Sequence, residues 1–428
     1  MRVLGYSFEY FVLGLVLSAL GAGLGGVAVV GEQITLTYWT HDFVLDVNAA
    51  KALITEFEAA HPNIKVEIVA IPFAEFANKL KIAIGAGTGP DVFTIDCTWI
   101  ASFAELGAIT PLDSFMTLNI YNDFIPSAQR TITWKGHVWA SPLDESSTAI
   151  FYNKRLFEEA GIEPPKSVDE AWTWDEFLKV AKALTKDVDG DGQTDVWGVH
   201  LDYGVGEWVA YLQMPWIWEN GGEVLGENNT KASGYLNSQE TVEALQFFRE
   251  LFTLHKVAPL SWIPDPLVNG VVAMEIDGPW HAQYFDTVFP DFEYGIAPLP
   301  YKVKHASNCG SWNLAISSTC ENKEAAWELV KWMTTGEGAK KWYEMVRRLP
   351  AQRSVYEAYP ELYEYPMNIF TTQLIKYGIP RPVTPAWAEV AHEVSSLFEI
   401  AALGELDLQK AADEAAARLD AILEQYRE

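Results

Sequence analysis

The stretch "QITLTYWTHDFVLDVNAAKALITEFEAAHPNIKVEIVAIPFAEFANKLKIAIGAGTGPDVFTID" (33–96) decides the fold. Residues 33–39, 64–72 and 90–96 are rich in β-branched side chains and predict strands. Residues 48–62 and 73–87 space their apolar side chains as a helix does. Strand, helix, strand, helix, strand is the pattern of βαβ units, so this stretch predicts a parallel sheet with helices on its faces.

The same alternation continues downstream. Strands are predicted at 147–153 and 196–201, and helices at 173–186, 238–255 and 408–426. No Pro- or Ser-rich linker divides the chain, so we expect an α/β protein of two lobes between which the chain crosses more than once. The predicted helix N-caps are Thr173 (with Glu176 at the capping-box position), Ser238 and Asn322.

Composition excludes several classes of partner. The 428 residues are 49% hydrophobic, enough for a large core, and carry 58 acidic against 30 basic residues, a formal charge of −28. An acidic field repels nucleic acid and anionic membranes. The charge therefore favours a soluble protein with an uncharged or cationic ligand.

The N-terminus predicts export. Arg2 precedes an uncharged run from 11 to 30 whose second half is rich in Gly and Ala, as in a secretory signal with a cleavage point near Gly31. The run is also long enough to span a bilayer, so an uncleaved anchor is the alternative. Residues 1–31 are assigned to this segment, and we expect the protein in the periplasm or at the cell surface.

Three cysteines fit an exported chain that does not depend on disulfides. Cys309 and Cys320 flank a predicted strand, and an extended chain separates them beyond the reach of a disulfide. A Cys97–Cys309 bridge and free buried thiols both stay open.

Catalytic motifs are absent from the sequence. It contains no HExxH, CxxC, GxSxG or Walker pattern. A glycosidase needs two carboxylates that flank the scissile bond. The adjacent pair Asp144 and Glu145 would point to opposite faces of an extended segment. We therefore expect no enzyme activity and no catalytic residue, with a glycan-cleaving hydrolase as the alternative.

Polar and aromatic residues cluster where predicted strands begin or end, the edge at which open α/β sheets bind ligands. Trp and Tyr faces stack on sugar C–H surfaces, while Asp and Arg take hydroxyls in directed hydrogen bonds. Any single Trp could instead pack in the core. The clusters are 38–42, 95–99, 142–147, 207–222, 276–285, 308–314 and 349–355.

Several stretches together resemble the extracellular sugar-binding proteins of ATP-driven importers, the family 1 solute-binding proteins of maltodextrin and multiple-sugar type. The clearest are "GTGPDVF" (87–93), "FYNKRLF" (151–157) and "GPW" (278–280), and the likeness spans nearly the whole chain after residue 31. The resemblance implies a periplasmic-binding-protein-like fold whose two lobes close around one carbohydrate. The closed form would then be recognised by the membrane permease of an ABC transporter.

The resemblance also implies where the chain divides, and we expect the protein to act as a monomer. One lobe would hold residues 32–146 plus 301–348, and the other residues 147–300 plus 349–428. The implied crossings lie near 142–147, 298–301 and 349–354.

Family binding positions correspond to particular residues of this chain. Ser146 stands at a crossing position where relatives often carry an acid, and Asp144 could supply the missing carboxylate. Trp280 would form an aromatic surface on which the sugar stacks. Few cations fall at these positions, which favours a neutral mono- or oligosaccharide over a non-sugar solute such as a glycerol phosphodiester. The predicted ligand-binding residues are Asp42, Asp96, Trp99, Asp144, Ser146, Trp216, Trp280, Gly310, Ser311, Trp312 and Arg353.

The stretch "DVDGDGQTDVWG" (187–198) matches part of a calcium-binding EF-hand loop. The twelfth position should be a bidentate Glu and is Gly198, and the element that follows is β-like, so a calcium sensor is not predicted. A structural calcium ion and a turn rich in Asp and Gly both stay open. No other cofactor is expected. The possible calcium ligands are Asp187, Asp189, Asp191, Gln193 and Asp195.

Overall fold

The computed structural model describes residues 33–404 and 406–427, so the predicted export segment lies outside the described part of the chain. Within that part, no helix combines the length and apolar character needed to cross a bilayer. The strands are β1 Ile34–His41, β2 Ile64–Ile71, β3 Val92–Asp96, β4 Thr133–Trp134, β5 His137–Val138, β6 Ser141–Pro142, β7 Ala149–Asn153, β8 Met274–Asp277, β9 Tyr294–Ala297, β10 Ser307–Cys309, β11 Trp312–Ile316 and β12 Gly378–Pro380.

Helices account for most of the remaining chain and cover both sheets. The α-helices are α1 Val44–Ala60, α2 Phe73–Gly85, α3 Ile100–Glu105, α4 Leu118–Asp123, α5 Pro126–Thr131, α6 Lys154–Ala160, α7 Trp174–Leu184, α8 Glu207–Glu219, α9 Gln239–Thr253, α10 Pro279–Val288, α11 Lys323–Thr334, α12 Gly336–Val346, α13 Arg353–Ala358, α14 Met367–Tyr377, α15 Trp387–Leu403 and α16 Leu408–Leu423.

The first sheet has the strand order β2-β1-β3-β11-β6. Strands β1, β2 and β3 are parallel and are joined by α1 and α2, which confirms the βαβ prediction. Strand β11 returns from far along the sequence and pairs antiparallel with both β3 and β6. Parallel strands need crossover connections, and α1 and α2 provide them. The α/β fold class is confirmed.

The second sheet has the order β8-β7-β9 and is antiparallel throughout. The strand predicted at 196–201 forms only isolated bridges. Two are parallel, from Trp197 to Val272 and from His200 to Glu275, and one is antiparallel, from Val196 to Lys186. Its alternating sequence "VWGVHL" fits an edge segment that follows β8 without forming a full ladder.

Helix caps follow local sequence in two of three places. Thr173 and Glu176 form a capping box, and the Ser238 hydroxyl accepts a hydrogen bond from the Thr241 amide. Asn322 occupies the predicted N-cap position of α11, but its side chain makes no capping hydrogen bond.

Buried side chains form two hydrophobic clusters. The first gathers residues such as Phe57, Phe93 and Trp342 around the first sheet. The second gathers the helices beside the second sheet, including α8 and α9, with α15 and α16 from the end of the chain. The first cluster also takes in Phe151 and Phe370, so it extends beneath the second sheet. The division of the chain at 146, 300 and 348 stays a prediction.

Four segments meet between the two sheets. Residues 143–148 bridge to Leu349 through Glu145 and to Gly310 through Ser146. Strand β10 pairs in parallel with β12, which brings residues 378–380 to the same place.

Within the described chain, all three cysteines are buried and free, so the Cys97–Cys309 bridge does not form.

Candidate functional site

Aromatic rings gather beside the end of β1. The ring of Trp312 lies 4.5 Å from His41 and 6.1 Å from Trp99, and the rings of Phe43 and Phe73 are 4.9 Å apart. We call these five residues the first aromatic cluster. Phe43 and Phe73 are 37% and 49% exposed, so their faces are open to a ligand. Such exposed aromatic faces at a sheet edge are suited to stacking.

Two of the predicted acids lie beside this cluster. Asp42 is exposed and accepts a hydrogen bond from the Phe73 amide at 3.1 Å, where α2 begins. Asp96 ends β3 and accepts from the Thr98 amide at 2.9 Å and from its hydroxyl at 2.7 Å. Both acids are therefore held in place by the start of the next helical turn.

A second aromatic cluster is formed by Trp208, Tyr211 and Trp280. The ring of Trp280 lies 5.9 Å from Trp208 and 6.2 Å from Tyr211. A Cβ on Gly278 would lie 2.2 Å from the Trp280 ring, so the glycine of "GPW" lets this ring fold back over the backbone. Trp208 is 44% exposed. The predicted stacking floor at Trp280 thus lies in an aromatic surface that α8 shares.

Arg381 lies between the two aromatic clusters and contacts an acid beside each. Its guanidinium contacts Glu207 at 2.5 Å and Asp96 at 3.2 Å. It also lies 4.9 Å from the centre of the Tyr211 ring, a cation–π contact. The side chain is only 6% exposed. Burial opposes its charge, but Asp96 and the neighbouring acidic groups hold the pKa of Arg381 well above its usual range.

Gly310 leaves room for this arginine. A Cβ at position 310 would lie 2.4 Å from an Arg381 amino nitrogen. Ser146 lies beside it, since its hydroxyl is 2.9 Å from both the Gly310 carbonyl oxygen and the Tyr211 hydroxyl. Gly310 and Ser146 were predicted as ligand contacts, and here they position Arg381 and Tyr211.

Glu145 is a buried acid at the same crossing. Its Oε1 makes no hydrogen bond, and burial raises its pKa to about 8. The uncharged form of this carboxyl is therefore favoured in the folded protein near neutral pH.

Four other predicted residues belong to neither aromatic cluster, although Asp144 accepts a hydrogen bond from the Trp312 amide at 3.4 Å. Asp144 is 2% exposed and ion-paired with Arg348, while Trp216 is 2% exposed and packs in the second hydrophobic cluster. These burials leave no surface for a ligand, so both predictions are corrected to structural roles. Ser311 is buried against Asn313, and Arg353 is exposed at the start of α13.

Sequence reasoning missed Arg381, Glu207, Trp208 and Tyr211. The stretch 207–222 was singled out, but Trp216 was chosen from it. Positions 207, 208 and 211 lie on one helical face, which could have indicated them. Arg381 stands between two prolines in "IPRPV" and has no local signal.

The arrangement carries hydrogen-bonding acids and an arginine between two aromatic surfaces. A sequence model of the family of bacterial extracellular solute-binding proteins matches residues 45–340. The chain belongs to this family. The resemblance inferred from the sequence is confirmed.

Known proteins similar to this solute-binding protein cover most of its length. The maltotriose-binding protein of Pyrococcus abyssi is 27% identical over 90% of this chain and 79% of that protein. The galactooligosaccharide-binding protein of Bacillus subtilis is 24% identical over 86% of this chain and 85% of that protein. A solved ABC-transporter solute-binding protein of Thermotoga lettingae, bound with α-D-tagatose, is 27% identical with a TM-score of 0.79, covering 91% of this chain and all of that one.

The aspartate loop brings three carboxylates together. Oxygens of Asp187, Asp189 and Asp195 lie within 4.8 Å of one another. Asp191 instead accepts hydrogen bonds from the amide and side chain of Gln193. At Gly198 a Cβ would lie 2.1 Å from the Ala181 carbonyl oxygen, so the glutamate of an EF-hand has no room there.

Proposed function

We propose that this solute-binding protein captures a mono- or oligosaccharide without anionic groups between its two lobes and delivers it to the permease of an ABC transporter. The observation that carries this proposal is Arg381, which contacts Asp96 and Glu207 between the two aromatic clusters. Neutral sugars are the first ligands to test.

Sugar chemistry accounts for each part of the cleft. Aromatic faces stack on C–H surfaces, and charged groups make the stronger hydrogen bonds to hydroxyls. A phosphorylated ligand would need several cations, and Arg381 already faces two acids. The similarity to a maltotriose-binding protein and to a galactooligosaccharide-binding protein supports the same ligand class.

Binding would act through closure of the lobes and would involve no chemistry on the ligand. A sugar that contacts both aromatic clusters binds the closed form more tightly than the open form. It therefore raises the population of the closed form. Arg381 lies between the two aromatic clusters. A ligand that binds there would contact both lobes and so favour the closed form. The segment at 1–31 would direct export, whether it is cleaved or retained as an anchor, and the monomer would suffice for binding.

Replacing Trp280 with alanine should weaken sugar binding by at least about tenfold, equivalent to about 1.4 kcal/mol, because a stacking surface is lost. A thermal-shift screen over neutral sugars identifies the ligand, and titration calorimetry measures its affinity for both proteins. Trp134→Ala, outside both aromatic clusters, is the matched control and should bind as the parent does.

Two results would overturn this proposal. If no sugar raised the melting temperature while another solute class did, the carbohydrate assignment would be lost. If incubation with oligosaccharides released new reducing ends, the hydrolase alternative would replace it.

We also propose that Asp187, Asp189 and Asp195 hold a structural calcium ion, since carboxylate oxygens are the ligands Ca²⁺ prefers. Chelator should then lower the melting temperature and added calcium should restore it, with sugar affinity unchanged at moderate temperature. Asp189→Asn should remove the calcium response. If neither chelator nor added calcium changed the melting temperature, the loop would hold no calcium ion.

A further inference from the structure

A cavity of about 160 Å³ lies beside Trp208, next to the second aromatic cluster. Among the described residues that line it, none is lysine or arginine. It is separate from Arg381 and the acids that Arg381 contacts. Its lining carries four carboxylates, those of Asp202, Asp265, Glu275 and Asp277.

His281 compensates only part of this negative charge. Its Nε2 lies 2.7 Å from Glu275 and its Nδ1 lies 2.9 Å from Asp277. Burial opposes protonation, but the two carboxylates raise the pKa of His281 to about 10, so it is charged at neutral pH. Four carboxylates facing one imidazolium leave three negative charges without a counter-charge from these side chains. The other basic group in the lining is His200.

Glu275 is a buried acid that lines this cavity. The residue is 6% exposed, and its Oε1 forms no hydrogen bond, although it is ion-paired with Nε2 of His281 at 2.7 Å. Ionised carboxylates accept hydrogen bonds and cannot donate them, so the complementary group is a donor.

Indole rings flank the same space. Trp262 is 80% exposed and Trp208 is 44% exposed, and both line the cavity. Indole faces attract cations. Trp208 also lies 5.9 Å from Trp280, so a ligand stacked on Trp280 would be close enough to extend past Trp208 into the cavity.

We propose that this cavity binds a protonated amino group carried by the sugar, so that the receptor selects an amino-substituted saccharide over its neutral counterpart. An ammonium group supplies three donors and no acceptor, and its charge matches the uncompensated carboxylates. This inference rests on the proposed function and narrows its ligand to sugars that carry a basic nitrogen.

Matched sugars test the selection. Glucose, glucosamine and N-acetylglucosamine, with their linear dimers cellobiose, chitobiose and diacetylchitobiose, differ only in the group at C2. Calorimetry on the full protein at pH about 6 should show the amino members binding about tenfold tighter or more, as expected for a hydrogen bond to a charged group. The advantage should shrink above the amine pKa, where the charge is lost.

Isosteric variants link that selection to the cavity. Asp265→Asn should lower the affinity for the amino sugar about tenfold and leave neutral-sugar affinity unchanged, and asparagine tolerates the positive φ of 45° at this position. Glu275→Gln gives a second test. Asp291→Asn, an exposed acid outside the lining, is the control.

Equal or weaker binding of the amino members, or no binding of any of the six probes, overturns the inference. If neutral sugars from the wider screen still bind, the proposed function stands without it. If no sugar binds at all, the proposed function fails as well.

Discussion

Arg381→Ala should bind sugar at least about a hundredfold more weakly than the parent, equivalent to about 2.7 kcal/mol. The arginine lies between Asp96 and Glu207, and its removal leaves two carboxylates facing each other. Breaking a buried ion pair by removing one partner costs about 3–5 kcal/mol. The half-exposed Glu207 places the expected loss of folding free energy at the lower end. Denaturant unfolding and calorimetry measure the two effects.

A milder variant separates folding from binding. Arg381→Lys keeps the charge but loses the planar fork that reaches both acids, so it should fold and bind sugar about tenfold more weakly. Arg353→Ala, at the exposed arginine predicted from the sequence, should match the parent. Normal binding by Arg381→Ala, with loss in Arg353→Ala, would reverse the assignment.

Arg348→Ala should strongly destabilise the folded protein. Arg348 contacts Asp46 through two amino nitrogens, at 2.9 and 2.5 Å, and Asp144 through Nε at 2.9 Å. All three are buried. The substitution leaves two buried carboxylates without a counter-charge, so we expect a loss of about 3–5 kcal/mol in the free energy of unfolding.

The neighbouring residue gives a matched control. Arg347 lies at the C-terminus of α12 with a left-handed backbone, and Arg347→Ala retains the same Cβ at that position. Its unfolding free energy should stay within about 0.5 kcal/mol of the parent. Equal stability of the two variants would show that the buried network contributes little.

Local patterns predicted much of the framework. The alternation from 33 to 96 identified the parallel strands because a βαβ unit is contiguous in sequence. The second sheet was harder to predict, since β7 pairs antiparallel with β8 and β9, which both lie far from it along the chain. Hydrophobic periodicity reports which face of an element is buried and does not report its partner.

The candidate site, like the fold, was predicted from the sequence only in part. Asp96 and Trp280 were predicted because each stands at or just after the end of a strand, where open sheets bind ligands, and both stay predictions as ligand contacts. Arg381 was missed because it reaches the cleft from a segment with no periodicity. Trp216 was predicted as a ligand contact although it is buried, because a sequence does not distinguish a tryptophan in the core from one at the surface. Only packing distinguishes them.

The composition of the second hydrophobic cluster constrains the order in which this chain can mature. Helices α8 and α9 are synthesised before α15 and α16, which cover them. Until α15 and α16 have been synthesised, apolar side chains such as that of Phe248 stay uncovered, a condition that favours aggregation. Folding of the second hydrophobic cluster must therefore wait for these two helices, which makes them a poor place to truncate the protein.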